Sequence, residues 1–422
     1  MGVFERQTLP NGLRLLTAPM DHAQSVSCFV MLSAGSRYET PETNGIAHFS
    51  EHMFFKGTER RPSAQEIGSE VDGIGGEFNA FTGKEYTGYY VRCAGEHRSI
   101  ALDVLTDMLR HSKFEPEEIE REKGVIVEEM NMYFDTPRDY ISGVYDDLLY
   151  GDQPLGWDII GRKETVRAAT RETFLDYTGR WYRPKRMVVG VSGMIGEGLE
   201  AEVERLLGDL DPAETGEPQP AASAENGTVR IHTKASDQAH LCIGVRSYPL
   251  VHPDRYALQL LGTVLGTGMS SRLFTEVRER RGLAYYVYTI NQSYTDAGSL
   301  YSQAGVDIER IDEAVSTIVT ELRKIVQEPV PPDELEKARN VAKGRFVLQT
   351  ESPHGLLMFG LRREVLEGET AEPEEILEGL DAVTAEDVQR VAQDLIGDKA
   401  LKLALIGPFE QDQQERFEKL VG

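Results

Sequence analysis

Five consecutive residues, His48-Phe49-Ser50-Glu51-His52, hold the densest chemistry in the chain. On a helix, positions 48 and 52 stand one turn apart on a shared face, so their imidazoles can grip one divalent metal ion. Glu51 lies on the flank of that face. A metal lowers the pKa of a water, and a carboxylate beside that water can take its proton. The surrounding residues predict the helix. Asn44 is a suitable N-cap, Ile46, Phe49 and Met53 supply apolar contacts, and Gly57 ends the run. With nine histidines in 422 residues, such a pentapeptide arises by chance in about one such chain in a hundred. The metal reading therefore outweighs that of two solvated or core imidazoles beside a surface glutamate.

Two imidazoles do not make a tight catalytic site, because zinc takes three protein ligands and keeps a fourth position open. The helix predicted over 117–133 offers the third. Glu122, Val125, Ile126 and Glu129 share one stripe of it, mixing two carboxylates with apolar residues expected to face the core. Acids in such a place need a cation or strong donors to offset their burial. Glu129 is the favoured ligand and Glu122 the group expected to orient a ligand, while Glu128 points away from the stripe.

The elements that must position these groups are legible in order. A hairpin covers 7–19 about Pro10-Asn11-Gly12, and a mostly buried strand covers 25–32. A helix over 64–71 precedes a glycine-rich strand pair over 75–91, turning at Gly83-Lys84-Glu85. A helix over 99–109 precedes another that Pro116 opens and Pro137 closes. Thr170 caps a helix ending near Trp181, and 187–191 form a closing strand. Residues 210–228 are proline-rich, acidic and aperiodic, which predicts a linker.

Beyond that linker the pattern restarts. Cys28 matches Cys242 at an offset of 214, Pro116 matches Pro332 at 216, and Thr170 matches Thr384 at 214. A unit of about 200 residues is thus duplicated, with domains at 1–209 and 229–422. Only one copy keeps the chemistry. Opposite His48, Glu51 and His52 stand Gly262, Leu265 and Gly266, and opposite Glu122 and Glu129 stand Ala338 and Arg345.

The composition narrows the class. Hydrophobic residues make up 40% and charged residues 27%, values of a soluble globular chain. A formal net charge of −25 argues against nucleic acid and anionic membrane surfaces as partners. Cys28, Cys93 and Cys242 are odd in number and sit in apolar, strand-like surroundings, which predicts reduced core residues and a cytoplasmic location. No apolar run reaches 18 residues, and the N-terminus has no apolar export signal. Gly73-Ile74-Gly75-Gly76 and Gly266-Thr267-Gly268 fit no nucleotide-binding spacing.

The spacing H-x-x-E-H is the inverse of the H-E-x-x-H metalloprotease signature. Together with Glu122 and Glu129 in Glu122-Lys123-Gly124-Val125-Ile126-Val127-Glu128-Glu129, it resembles the M16 (pitrilysin/insulinase) metallopeptidases. The length and two-half build resemble the M16B branch, which includes the mitochondrial processing peptidase β-subunit and its bacterial relatives. The resemblance covers essentially the whole chain. It implies a zinc endopeptidase in which His48, His52 and Glu129 bind Zn2+, Glu51 is the general base and Glu122 supports the ligands. Glu128 is the alternative third ligand if the register is one residue out. Glu77-Phe78-Asn79-Ala80-Phe81-Thr82 resembles the family's edge strand, where a substrate peptide adds as an extra strand; Asn79, Ala80, Phe81 and Thr82 would contact it. Arg278 and Tyr285 resemble the family's Arg/Tyr pair, which contacts substrate and the scissile carbonyl. The implied fold class is α+β, with two homologous domains, each a largely antiparallel sheet with helices on one face, closing as a clamshell on unfolded peptides. A homodimer is the simplest assembly, because one chain carries both the metal motif and the Arg/Tyr pair.

Overall fold

The computed structural model describes residues 2–224 and 226–422. Among them, eleven strands form two sheets. The first sheet contains β1 (Glu5–Thr8), β2 (Arg14–Pro19), β3 (Ser25–Leu32), β4 (Glu77–Thr82), β5 (Thr87–Ala94) and β6 (Met187–Gly193) in the order β1-β2-β6-β3-β5-β4. The second contains β7 (Val229–Thr233), β8 (Ala239–Ser247), β9 (Ala284–Ser293), β10 (Gly298–Val306) and β11 (Lys402–Gly407) in the order β7-β11-β8-β10-β9. Without β1 the two orders coincide. Each sheet is antiparallel except at one corresponding pair: Arg14 faces Val188 across β2/β6, and Val229 faces Leu403 across β7/β11. The repeat is therefore topological, as the offsets predict.

Two compact units are present, and each is discontinuous in sequence. The first comprises 1–131, 158–219 and 347–373; the second comprises 132–157, 220–346 and 374–422. The discontinuity arises because the helices Pro137–Tyr150 and Pro353–Leu366 each pack on the sheet of the opposite half. In the first unit Leu356, Leu357, Leu361 and Val365 close over Leu16, Phe29, Met31 and Val188. In the second, Ile141, Tyr145, Leu148 and Leu149 close over Cys242, Tyr301, Ala404 and Ile406. A sheet with two apolar faces needs a layer on each, and here the sheet's own half supplies one and the exchanged helix the other. The sequence reading has Pro137 closing a helix; it also opens the exchanged one, as proline commonly does at the first helical position.

The exchange corrects one landmark. Cys242 lies in the cluster beneath its exchanged helix, whereas in β3 the residues beneath the corresponding helix are Phe29 and Met31. Side chains alternate along a strand, so Cys28 faces the other side of its sheet. The match of Cys28 with Cys242 is thus out of register. All three cysteines are buried and free. The segment after Leu210 is coil, strapped to the first unit: Arg37 donates to Gln219 O at 3.0 Å, and Arg186 donates to Thr215 and Gly216. No helix among the described residues is long and apolar enough to cross a membrane.

Candidate metal centre

The pentapeptide sits on the helix Ile46–Phe54. Ile46, Phe49, Met53 and Phe54 are buried, with Phe49 edge-on to Phe174 at 4.8 Å and Phe54 edge-on to Tyr89 at 5.4 Å. The N-terminus differs from the expectation of an Asn44 cap. Gly45 is the capping residue, at φ 98°, and a Cβ there would press on Ile160 and Gly161. The exposed helix donors are met from a distance by the buried Glu39. Its Oε2 accepts from Asn44 Nδ2 and Gly45 N, each at 2.9 Å, and its Oε1 accepts from Ala47 N at 2.8 Å. Carboxyl oxygens at a helix N-terminus satisfy those donors. Burial pushes the Glu39 carboxyl up to about 8, against the pull of the three donors.

His48 and His52 share a face as expected, with ring centroids 4.6 Å apart. The helix Pro116–Asp135 brings Glu129 to them: Oε1 is 3.7 Å from His48 Nε2 and Oε2 is 3.5 Å from His52 Nε2. These three side chains form a cluster whose ligand atoms all lie within 4.8 Å of one another. The fit to a metal can be judged on this spacing. Atoms held about 2.0–2.1 Å from a tetrahedral zinc stand roughly 3.3 Å apart. The contacts are too long for hydrogen bonds, and Glu129 Oε2 is buried with no hydrogen-bond partner. A carboxylate oxygen so placed is one that a cation would satisfy, and the set His-His-Glu suits zinc. Burial, with His52 adding to it, pushes the His48 imidazole down to about 3, so its ring is neutral and ligand-ready at ordinary pH. Glu128 is exposed on the far side of its helix and outside the cluster.

Glu122 is buried and joins the centre from behind. Its Oε1 is 2.8 Å from His52 Nδ1, and its Oε2 is 2.5 Å from Lys56 Nζ. Burial alone would raise its carboxyl, but the donors on His52 and Lys56 outweigh that and hold it below the ordinary carboxylate range. Lys56 is absent from the sequence reading. A cation four residues beyond His52 was a weak signal, because Lys56 lies past the helix end and helical spacing does not fix its side. Val125, expected on the core stripe, is exposed; Ile119, Glu122, Ile126 and Met130 line the buried face instead.

Glu51 is raised above the ordinary range by burial, and a hydrogen bond from Thr82 and the nearby His52 only partly offset this. Thr82 ends β4, an edge of the first sheet. Thr82 Oγ1 donates to Glu51 Oε2 at 2.5 Å. Ala80 shares the Thr82 face by alternation, and its N–H is met by the Asn79 side chain at 2.8 Å. Phe81 turns to the opposite face and packs against the cluster under the exchanged helix. The four edge-strand candidates are thus split between two faces.

Arg278 and Tyr285 lie in the second unit and are brought together. Arg278, in the π-helical segment Phe274–Glu279, stands 4.8 Å from the Phe274 ring centroid and 5.7 Å from that of Tyr285. Tyr285 is on the edge strand β9 and 70% exposed. In that unit the helix Arg255–Gly266 presses on its edge strand so closely that a Cβ on Gly266 would lie 2.3 Å from Thr289 N. An imidazole at that position has no room, which gives the absence of a counterpart to His52 a steric reason.

Comparison with known proteins places the whole chain in a family. Residues 14–161 match the family model described as insulinase (peptidase family M16), and residues 168–342 match the one described as peptidase M16 inactive domain. The chain is 38% identical over 96% of its length to the uncharacterized zinc protease YmxG of Bacillus subtilis, of which it covers 98%. It is 34% identical over its whole length to the uncharacterized zinc protease SCO5738 of Streptomyces coelicolor, covering 93% of that protein. Among solved structures, a protease from Helicobacter pylori superposes with a TM-score of 0.89 at 21% identity, over 97% of this chain and 100% of that one. A peptidase M16 inactive domain from Pseudomonas fluorescens gives 0.89 at 18% identity, over 96% and 98%. At those identities the structures speak for the fold.

Proposed function

Because the chain belongs to peptidase family M16, the insulinase family, we propose that it is a zinc-dependent endopeptidase acting on unfolded peptides enclosed in a chamber. The observation that carries this reading is the cluster of His48, His52 and Glu129, drawn from two helices far apart in sequence. We assign these three as the zinc ligands and Glu122 as the group that orients His52. Zinc, when bound, supplies a Lewis acid that makes water nucleophilic near neutral pH. Glu51 takes the proton from the attacking water as its oxygen bonds to the peptide carbonyl carbon, and passes it to the leaving amine as the C–N bond breaks. The raised carboxyl of Glu51 suits a group that must both accept and return a proton. The open edge of β4, with Asn79, Ala80 and Phe81, is assigned to main-chain pairing with the substrate. Arg278 and Tyr285 supply a cation and a phenol able to donate to a peptide carbonyl. The repeat boundaries at 1–209 and 229–422, a homodimer and a cytoplasmic location complete the proposal.

The test joins metal and base. Purified protein should bind one zinc per chain and cleave a mixed peptide pool, and chelation should abolish cleavage until zinc is restored. Glu51→Gln should keep its zinc and lose on the order of 10³-fold or more in kcat. Cleavage that survives both chelation and Glu51→Gln would reject the mechanism.

A further inference from the structure

The general base proposed above and the proposed substrate strand are joined by one hydrogen bond. Thr82 Oγ1 donates to Glu51 Oε2 at 2.5 Å. Among the described residues it is the only hydrogen bond made to that carboxylate. Two buried phenols, Tyr89 and Tyr182, feel the charge of Glu51 but bond to each other at 2.9 Å instead. Among the described residues Glu51 Oε1 therefore has no hydrogen-bond partner.

The supports of the two groups differ. A glutamate carboxylate swings on three side-chain torsions, and loss of its one donor would leave only packing to aim it. Thr82 is held by its strand: it faces Thr87 at the end of the β4/β5 ladder, and its β-branched side chain is stiff about χ1. A donor fixed in a sheet is a better reference point than one on a loop. The edge-strand resemblance gives Thr82 a contact with the peptide, yet its hydroxyl is already committed to Glu51.

We propose that Thr82 is a positioning residue for the reaction. Its hydroxyl pins Oε2 of Glu51 so that Oε1 is presented as the free acceptor for the proton of the attacking water. The inference rests on the peptidase reading and adds a residue whose role is orientation, apart from zinc binding and apart from substrate affinity. A misplacement of the order of 1 Å in such a group costs about 10²-fold in rate.

The test uses the full-length, zinc-loaded protein and a peptide that the wild type cleaves. Thr82→Val keeps the shape of the side chain and removes the hydroxyl; Thr82→Ala removes the hydroxyl with the γ-methyl and serves if valine does not fold, and Thr82→Ser keeps the hydroxyl. The expected result is a kcat lowered about 10–100-fold in Thr82→Val with KM within about twofold and zinc stoichiometry unchanged. Thr82→Ser should recover most of the rate. In a Glu51→Gln background Thr82→Val should change kcat little further, because the group it aims is gone. A wild-type kcat in Thr82→Val, a rise in KM alone, or a serine variant no better than valine would overturn the proposal. A wild type that binds zinc and cleaves nothing would instead strike the peptidase reading itself, before any variant is compared.

Discussion

At the scale of single residues, the centre is a set of nested constraints on imidazole direction. His52 can present Nε2 to a metal only if its ring is held, and Glu122 holds it through Nδ1 at 2.8 Å. Glu122 is held in turn by Lys56. Partners one layer out from a metal typically tune its affinity by 10- to 100-fold. Lys56→Met is therefore expected to weaken zinc binding by about that factor, read by competition with a chromogenic chelator, while Lys56→Arg keeps most of it. An unchanged affinity in Lys56→Met would mean that Glu122 needs no second anchor. That His48 and His52 share a face, and that Glu129 stands by them where Glu128 does not, was legible because helical spacing fixes which side chains share a face. Lys56 and the bond from Thr82 to Glu51 were not. The first falls just beyond the helix end, and the second joins residues 31 apart in sequence.

At the scale of elements, the metal helix is clamped at both ends by buried polar side chains. Glu39 meets its N-terminus, and the loop leaving its C-terminus is tied down through Arg61. That guanidinium donates to Glu70 at 2.6 and 2.7 Å, to Asp103 at 2.7 Å and to Asp107 at 2.7 Å. Asp107 also accepts from Thr58 at 2.7 Å and lies 3.0 Å from His111 Nδ1. Burial raises the Asp107 carboxyl, but these donors outweigh it and leave it below the ordinary value of 3.8. A carboxyl depressed by folding contributes stability that is present above its unfolded pKa and lost as pH falls through the folded one. Acidification below about pH 4 should thus loosen this clamp. Asp107→Asn should cost about 1.5–3 kcal/mol at neutral pH and show a flatter decline of Tm below pH 4 than the wild type. Calorimetry from pH 3 to 7 measures both; parallel acid limbs would show that Asp107 is not the titrating anchor. The sequence predicted the helix from its apolar spacing and assigned the cap to the nearest polar residue. The real cap comes from Glu39, seven residues before the helix, because a glycine turn at Gly45 sends Asn44 elsewhere.

At the scale of the whole molecule, the exchanged helices make each unit depend on chain from both halves. Leu361, in the second half of the sequence, lies against Phe29, Met31 and Val188 of the first. It is fully buried, and a Cβ on Gly190 would come within 2.7 Å of it. Leu361→Ala should cost about 2–5 kcal/mol. Hydrogen exchange read by mass spectrometry should then quicken in peptides from β2, β3 and β6, the strands beneath the helix, although the substitution lies more than 160 residues away in sequence. Exchange confined to peptides beyond residue 220 would contradict this packing.

What the sequence determined by itself is what local periodicity dictates: many of the strands and helices, the repeat, the shared face of His48 and His52, and the shared side of Glu122 and Glu129. Each follows from spacings of two residues on a strand or about 3.6 on a helix, and those spacings hold wherever the element lies. Only the tertiary structure decided which helix covers which sheet, that Glu39 meets the N-terminus of the metal helix, and that the Thr82 hydroxyl donates to Glu51. Those outcomes depend on which apolar faces and buried charges come to meet. A chain with two similar sheets and two similar covering helices can pair them in more than one way, so periodicity carries no instruction for the choice.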